Sequence, residues 1–479
     1  MSISKFLIQH ANKKTSSFHM PGHKGSAFYR QFGYGGFLEK LVDCDITEIP
    51  GADNLFQSEG IIKAVQDRYR DLYGVRNSYL LINGTSGGII ASILAAVPDG
   101  GKLIMARNCH KSVFNALTLG AIRPVYAYPE IIPEYGISGE LCCSEIERCI
   151  IENPEASAVI LPSPNYYGVC SDITAISGIV HRYGKVLIVD QAHGAHLKFF
   201  KKDMPLSAED SGADIIINSI HKTLASFTQS AVINLNSDRV DRYALEDKLQ
   251  SIQSTSPSYL LMASLDINAA ILEDSGESVI GQWADNLDYF YKDIEEHNSA
   301  GSGRPIRILS DISNLDKSKI NIDTGSLGMT AEELEGLLTE DNIIPELTAG
   351  NILMLMSGIG NSREDYIKLA EALKKIAADE RRPQRAAMQS AAQSAPQLAR
   401  KAELFEIPKD KIRIPLADSE GYICAASIIP YPPGIPLICP GEKLTADAIE
   451  YVKSLRDSGR KVIGVNENGE ITAGMQKTR

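Results

Sequence analysis

DIIINSIHK, residues Asp214 to Lys222, is a short apolar run that ends on polar side chains, and KVLIVD, Lys185 to Asp190, has the same form about one strand–helix–strand unit upstream. Runs of this kind are the strands of an open, mostly parallel sheet. The carboxyl ends of such strands deliver polar side chains into the crevice where ligands sit. The pattern therefore predicts that Asp190 and Lys222 meet at one rim of the sheet.

A carboxylate and an amine at a sheet rim can be an ion pair, an acid/base pair, or the two anchors of pyridoxal phosphate. In the last case the lysine holds the aldehyde as a Schiff base and the aspartate keeps the ring nitrogen protonated. That chemistry also demands a phosphate cradle. Asn83-Gly84-Thr85-Ser86-Gly87-Gly88 offers one, between the apolar run 78–82 and a helical run from Thr85 to Val97. Backbone N–H groups at a helix start, its positive dipole end and the Thr85 and Ser86 hydroxyls all suit a phosphate. Taken alone these are ordinary N-cap residues, and neither GxxxxGK[ST] nor GxGxxG is present. Weight comes from conjunction, because Ser219 and His221 flank the same strand end as Lys222.

Outward from this pair the pattern is regular. Apolar runs at 78–82, 102–106, 123–127, 157–161, 185–190, 214–219 and 230–235 read as strands, and helical spacing such as Ile173 to Tyr183 separates the first five. This predicts an α/β fold with a seven-stranded, mostly parallel sheet covered by helices on both faces. A shorter link joins the last two strands, which leaves room for one to run antiparallel.

Residues 1–60 form a polar N-terminal arm, ahead of a helical run from Gln57 to Tyr73. The arm carries His19-Met20-Pro21-Gly22-His23-Lys24-Gly25 and Asp43-Cys44-Asp45-Ile46-Thr47-Glu48 and is a candidate to line a site or a subunit interface. Residues 61–299 are the large domain, closing with long helices over 259–299. A Gly/Ser break leads into a small α/β unit, 300–380, with strands near Lys319–Asp323 and Asn351–Met356 and helices near Ala331–Leu338 and Arg363–Ala377. Residues 381–403 read as a linker or a surface helix. The last domain, 404–479, contains PYPPGIPLICPGE, whose prolines favour a rigid extended loop.

Bulk properties narrow the function classes. At 479 residues the chain is too long for one compact core. A net charge of −12 argues against a general nucleic-acid surface. No apolar run is long enough to span a bilayer, and MSISKFLIQHANKK lacks a secretory apolar core, so a cytoplasmic location is expected. The eight cysteines include no CxxC pair and read as buried free thiols.

Two histidine clusters remain. His110, in NCHKS, opens the helix after the second strand and can stack on a cofactor ring or face solvent. Asp190 is followed by His193 and His196, which invites a metal reading. No fourth ligand or supporting shell is legible, so no metal is expected and a cofactor wall or structural role is favoured.

SIHKT, DQAHGAH, NGTSGG, HMPGHKG, DITE and PYPPGIPLICPGE, in their order along nearly the whole chain, resemble the Orn/Lys/Arg decarboxylases, the bacterial basic amino acid decarboxylases of the aspartate aminotransferase fold. The resemblance implies a fold type I enzyme dependent on pyridoxal 5'-phosphate. Lys222 then resembles the Schiff-base lysine, Asp190 the pyridinium partner and His110 the ring-stacking histidine. Thr85, Ser86, Gly87 and Ser219, with His221 beside them, resemble the phosphate contacts, and His193 the cofactor wall. Thr255 and Ser256 resemble the segment that reaches a neighbour's phosphate in a homodimer whose site lies at the interface. Glu346, in IIPELT, resembles the carboxylate that meets the far end of the substrate, with Glu442, Asp45 and Glu48 as further candidates for its side-chain cation.

The implied reaction is decarboxylation of arginine, lysine or ornithine to a polyamine-pathway amine. Arginine is favoured, because short members without the N-terminal wing of longer relatives are often so described. The missing wing implies a dimer or small oligomer. An aminotransferase or lyase of the same fold is the nearest rival, but no arginine falls in a recognisable carboxylate-clamping motif. A catalytically silent homologue is the second rival.

Overall fold

The structure is a computed structural model that describes residues 1–201, 203–379, 402–431, 434–457 and 459–477. Its centre is a seven-stranded sheet of β1 (Asn77–Leu81), β2 (Lys102–Ala106), β3 (Arg123–Ala127), β4 (Ala158–Pro162), β5 (Val186–Asp190), β6 (Ile215–Asn218) and β7 (Ala231–Leu235), in the order β1-β7-β6-β5-β4-β2-β3. Only β7 runs antiparallel, to β1 and to β6. It is one of the two strands joined by the shorter link. VLIVD and IIIN are buried at every position, as a sheet covered on both faces requires.

Most helix boundaries follow local chemistry. Asp172 and Ser258 cap their helices by accepting from Ala175 and Leu261. The helix expected from Gln57 begins instead at Ile61. Asp53 is the reason: its carboxylate accepts the N–H groups of Glu59, Gly60, Ile62 and Lys63 at 2.8–3.3 Å and so serves as a remote cap. The several helices expected over 259–299 are one helix, Tyr259–Ala300, of 42 residues. Its buried face of Trp283, Leu287, Phe290 and Ile294 runs on past Gly281, which therefore does not break it.

The small unit is a four-stranded sheet of β8 (Arg307–Ile308), β9 (Lys319–Asp323), β10 (Leu347–Ala349) and β11 (Ile352–Met356), in the order β8-β9-β11-β10, antiparallel throughout. Helices Ala331–Glu340 and Arg363–Ala377 begin on capping boxes at Thr330 and Ser362. This unit shares its packing with the rest of the chain: Leu309, Leu347, Ile352 and Met354 cluster with Ile137, Tyr167 and Val169 of the large domain. Phe18 and Tyr29 of the arm, Trp283 and Phe290 of the long helix, and Ile320, Leu353 and Tyr366 belong to one buried cluster.

The C-terminal region has a separate core, Leu416, Cys424, Ile438, Leu444, Ile449 and Val452 among it. Of the described residues in its proline-rich stretch, Ile429–Tyr431 pairs with Lys461–Ile463, and Ile438 and Glu442 make single bridges to Ile428 and Leu404. Residues 381–401, where a linker or surface helix was expected, lie outside the described residues. All eight cysteines are free; five are buried, while Cys44, Cys142 and Cys143 are half-buried rather than buried as expected. Among the described residues no helix is long and apolar enough to cross a membrane.

Candidate active site

The carboxyl ends of β1, β2, β4, β5 and β6 surround a cavity of about 280 Å³. Asp190 is the last residue of β5 and pairs across the sheet with Ile217 of β6. The chain then turns through Ser219 into a single helical turn, Ile220–Thr223, which delivers Lys222 to the same cavity. Nζ of Lys222 lies 2.9 Å from Nε2 of His193 and 5.8 Å from the centroid of the Tyr166 ring. The His193 and Tyr166 rings are 4.5 Å apart.

Electrostatics lower the basicity of this amine. Desolvation pulls the Lys222 ammonium down to about 8, against the opposing pull of Asp190 and Glu346 and with help from Lys319. Burial raises the Asp190 carboxyl, opposed by Lys222 and by the Ala192 N–H, which donates at 3.1 Å. Burial and the nearby Lys222 hold His193 well below its ordinary value, so its imidazole is neutral.

The opposite wall is the start of helix Gly84–Ala96. Asn83 does not cap it, because its amide donates to the Ile252 carbonyl. Gly84, at φ 67°, turns the chain from strand to helix. Thr85 and Ser86 line the cavity with Ser219 and His221. Ser86 Oγ, Ser112 Oγ and His110 Nδ1 form a hydrogen-bonded chain with steps of 2.9 and 2.7 Å. Burial, then Lys222 and Lys111, push His110 down to about 3; burial takes His221 to about 4 while its Nδ1 donates to the Ser230 carbonyl at 2.9 Å.

The N-terminal arm passes between the Lys222 turn and the small unit. Gly22 N–H donates to the His221 carbonyl at 2.7 Å, Ile359 N–H to the Thr223 carbonyl at 2.9 Å and Gly360 N–H to the Gly22 carbonyl at 2.9 Å. Glu346 is held against this arm, its Oε2 accepting the Met20 N–H at 2.9 Å.

Several expected site residues lie elsewhere. Gly87 does not line the cavity; a Cβ there would come 3.2 Å from the Asn83 side chain, so close packing accounts for it. Glu442 is not free to meet a substrate. It is buried against Arg107, with Oε2 accepting from Arg107 Nη2 and Cys439 N–H at 3.0 Å each, while Arg107 also donates to the Pro436 and Leu437 carbonyls. A charge already paired in the interior is spent on holding the C-terminal region to the end of β2. Asp45, Glu48, Thr255 and Ser256 are exposed, and none lines the cavity within one chain. His193 and His196 serve different partners: His196 faces Thr223, Asp316 and Ser318 at 3.2 Å each.

Among the lining residues not singled out from the sequence are Asn108 and Tyr166, and also Pro162, Pro164, Asn165 and Gln229. Asn108, two residues before His110 at the end of β2, carried a positional signal; Tyr166 carried none. Among the described residues, buried Asn108 Oδ1 and His193 Nδ1 have no hydrogen-bond partner.

This sheet order, with a desolvated lysine beside a buried aspartate at its rim, defines an α/β enzyme of the pyridoxal-phosphate fold type I class. Residues 2–365 match the family described as Orn/Lys/Arg decarboxylase, major domain, and residues 381–476 the Orn/Lys/Arg decarboxylase C-terminal domain. The chain belongs to the Orn/Lys/Arg decarboxylase family and is an amino acid decarboxylase. It is 33% identical to the arginine decarboxylase of Bacillus subtilis (strain 168) over 482 residues, covering 96% of this chain and 95% of the relative. Identity to the YaaO protein of the same organism is 33% over 464 residues, 94% of this chain and 93% of that one. The solved lysine decarboxylase A from Pseudomonas aeruginosa superposes with a TM-score of 0.78 at 20% identity, covering 98% of this chain and 80% of that chain.

The family implies pyridoxal phosphate, and the cavity residues fit that group. An amine and a carboxylate come from adjacent strand ends, hydroxyls line the uncapped helix start, and two buried polar atoms, Asn108 Oδ1 and His193 Nδ1, await a partner.

Proposed function

We propose that this chain decarboxylates L-arginine with pyridoxal phosphate held between Lys222 and Asp190. The observation that carries the reading is the convergence of these two side chains on one cavity whose other wall is the Thr85–Ser86 helix start. Arginine is preferred to lysine or ornithine because relatives at 30–33% identity across nearly the whole chain are named arginine decarboxylases.

Bound there, the cofactor supplies a conjugated cationic ring that takes up the electron pair left when the α-carboxylate departs as carbon dioxide. Lys222 makes the covalent attachment, and its lowered basicity leaves a usable fraction of free amine near neutral pH. Asp190 holds the proton on the ring nitrogen, which a neutral partner would not do. The hydroxyls of Thr85, Ser86 and Ser219 would donate to the phosphate, with His221 beside them. Neutral His110, which lines the cavity, would stack on the ring and orient it. Lys222 and His193, 2.9 Å apart, move a proton at the α-carbon and at the departing amine.

Glu346 meets the substrate's guanidinium, a planar cation that pairs with carboxylates through two parallel hydrogen bonds. Thr255 and Ser256, exposed beside helix Arg242–Ile252, complete the phosphate site of a second copy, which makes the working unit at least a homodimer.

The test is incubation of purified protein and pyridoxal phosphate with arginine, lysine and ornithine separately, identifying the amine formed. Arginine is expected to be consumed fastest. Preferred turnover of lysine or ornithine overturns the substrate assignment, and full turnover by Lys222→Ala overturns the mechanism.

A further inference from the structure

Three ionisable side chains that this mechanism does not use, His196, Asp316 and Lys319, are buried together where the loop before β9 meets the large domain. Asp316 and Lys319 are 3.3 Å apart, and Asp316 lies 3.2 Å from His196 Nε2. Ser318 closes the group, its N–H donating to Asp316 Oδ1 at 2.9 Å. Burial opposes ionisation of Asp316, but Lys319 and His196 outweigh it and hold the carboxyl well below its usual range.

Two further side-chain hydrogen bonds leave the cluster, from Lys319 and His196, and both go to neighbours of Lys222. Lys319 Nζ donates to the His193 carbonyl at 3.1 Å, and His193 is the residue whose imidazole touches the Lys222 amine. His196 Nδ1 lies 3.2 Å from Thr223 Oγ1, and Thr223 follows Lys222 in the chain. Docking of the small unit alone does not require buried charge, since an apolar contact of the same volume is often the more stable solution.

The charged and titratable groups that interact with Lys222 are Asp190 and His193 from the end of β5, His110 from the end of β2, His221 from its own turn, and Glu346 and Lys319 from the small unit, with the Tyr166 ring 5.8 Å from the amine. The three imidazoles are neutral. Lys319, paired with Asp316 at 3.3 Å, opposes the pull of the two carboxylates on Lys222.

We propose that Lys319 is a positioning residue for the chemistry at Lys222: anchored by Asp316, it holds the His193 carbonyl while His196 holds Thr223, and it keeps a second positive charge beside the reactive amine. This rests on the assignment of Lys222 as the attachment lysine.

The experiment compares wild type, Lys319→Met and Lys319→Arg, each mixed with pyridoxal phosphate. It records the visible absorbance of the loaded protein against pH, then kcat, KM and the thermal midpoint. Lys319→Met is expected to move the absorbance midpoint to higher pH, because Asp190 and Glu346 then act unopposed, and to lower kcat between about ten- and a hundredfold with KM little changed. Lys319→Arg is expected to restore the midpoint. If Lys319→Met does not fold, Lys319→Met/Asp316→Asn removes both buried charges and is expected to fold with a displaced midpoint. A wild-type midpoint in whichever variant folds overturns the proposal, as does a kcat loss without a midpoint change. Lys222→Ala separates the two levels: if it keeps the visible band, the attachment assignment itself fails.

Discussion

Nζ of Lys222 and Nε2 of His193 lie 2.9 Å apart, an amine and an imidazole sharing one hydrogen bond. Only one proton fits between the two nitrogens at that distance, so the imidazole can relay a proton to and from the amine. His193→Phe keeps a ring against Tyr166 but removes the relay. Turnover is expected to fall by about 10²-fold, the lower range for a lost acid/base group, with the visible absorbance retained. Steady-state kinetics beside an absorbance spectrum checks both halves.

Asp190 acts through charge, which an isosteric amide lacks. Asp190→Asn is expected to lower kcat by about 10²–10³-fold, while cofactor binding falls less because Lys222 and the hydroxyl wall remain. Cofactor titration by absorbance against kcat separates the two effects; equal losses would count against an electronic role.

Gly22 is where the arm passes nearest to the Lys222 turn. A Cβ there would lie 2.4 Å from the Leu224 carbonyl oxygen and 2.5 Å from the Thr223 carbonyl carbon, so backbone must move. Gly22→Ala is expected to destabilise by about 1–3 kcal/mol and to lower turnover. Gly36, with no atom near its would-be Cβ, is the control: Gly36→Ala should leave the thermal midpoint and activity intact.

Glu442→Gln strands the Arg107 guanidinium, which cannot give up its proton in the interior. The cost expected is about 3–5 kcal/mol, read as loss of the C-terminal region's denaturation transition. Replacing both partners, Arg107→Met/Glu442→Leu, should recover most of it. A neutral single variant would remove the latch from consideration.

The cofactor-free chain should lose stability in mild acid. Burial is the first cause that lowers His221 and His23 to about 4 and His110 to about 3. Each is a base whose folded value lies below its ordinary 6.5, so the unfolded chain takes up protons first as pH falls. Their contribution is complete above about 6.5 and is lost from there down toward about 4, on the order of a few kcal/mol together. Denaturation midpoints at pH 7.5, 6 and 5 should fall in that order.

The seven strands of the central sheet were legible to within a residue because each is a run of β-branched and other apolar side chains bounded by polar ones. Asp190, Lys222, Thr85 and Ser86 were legible for the same reason, since parallel strands send their carboxyl ends to one rim whatever their order. The 42-residue helix was harder, because the spacing over 259–299 shows helix but not that it is continuous, and only the buried face running past Gly276 and Gly281 makes it one element.

By its periodicity, then, the sequence determined the α/β alternation and the rim where Asp190 and Lys222 meet, and by its motifs the family it resembles. Partners far away in the chain were decided only by the tertiary structure. Glu442 in a proline-rich loop gives no sign of an arginine 335 residues upstream, and three residues of turn send His193 to Lys222 but His196 to Asp316. Local pattern reflects how side chains alternate along one element. Which charge meets which depends on how elements stack, and in a desolvated interior each buried charge must find a partner wherever the fold brings one.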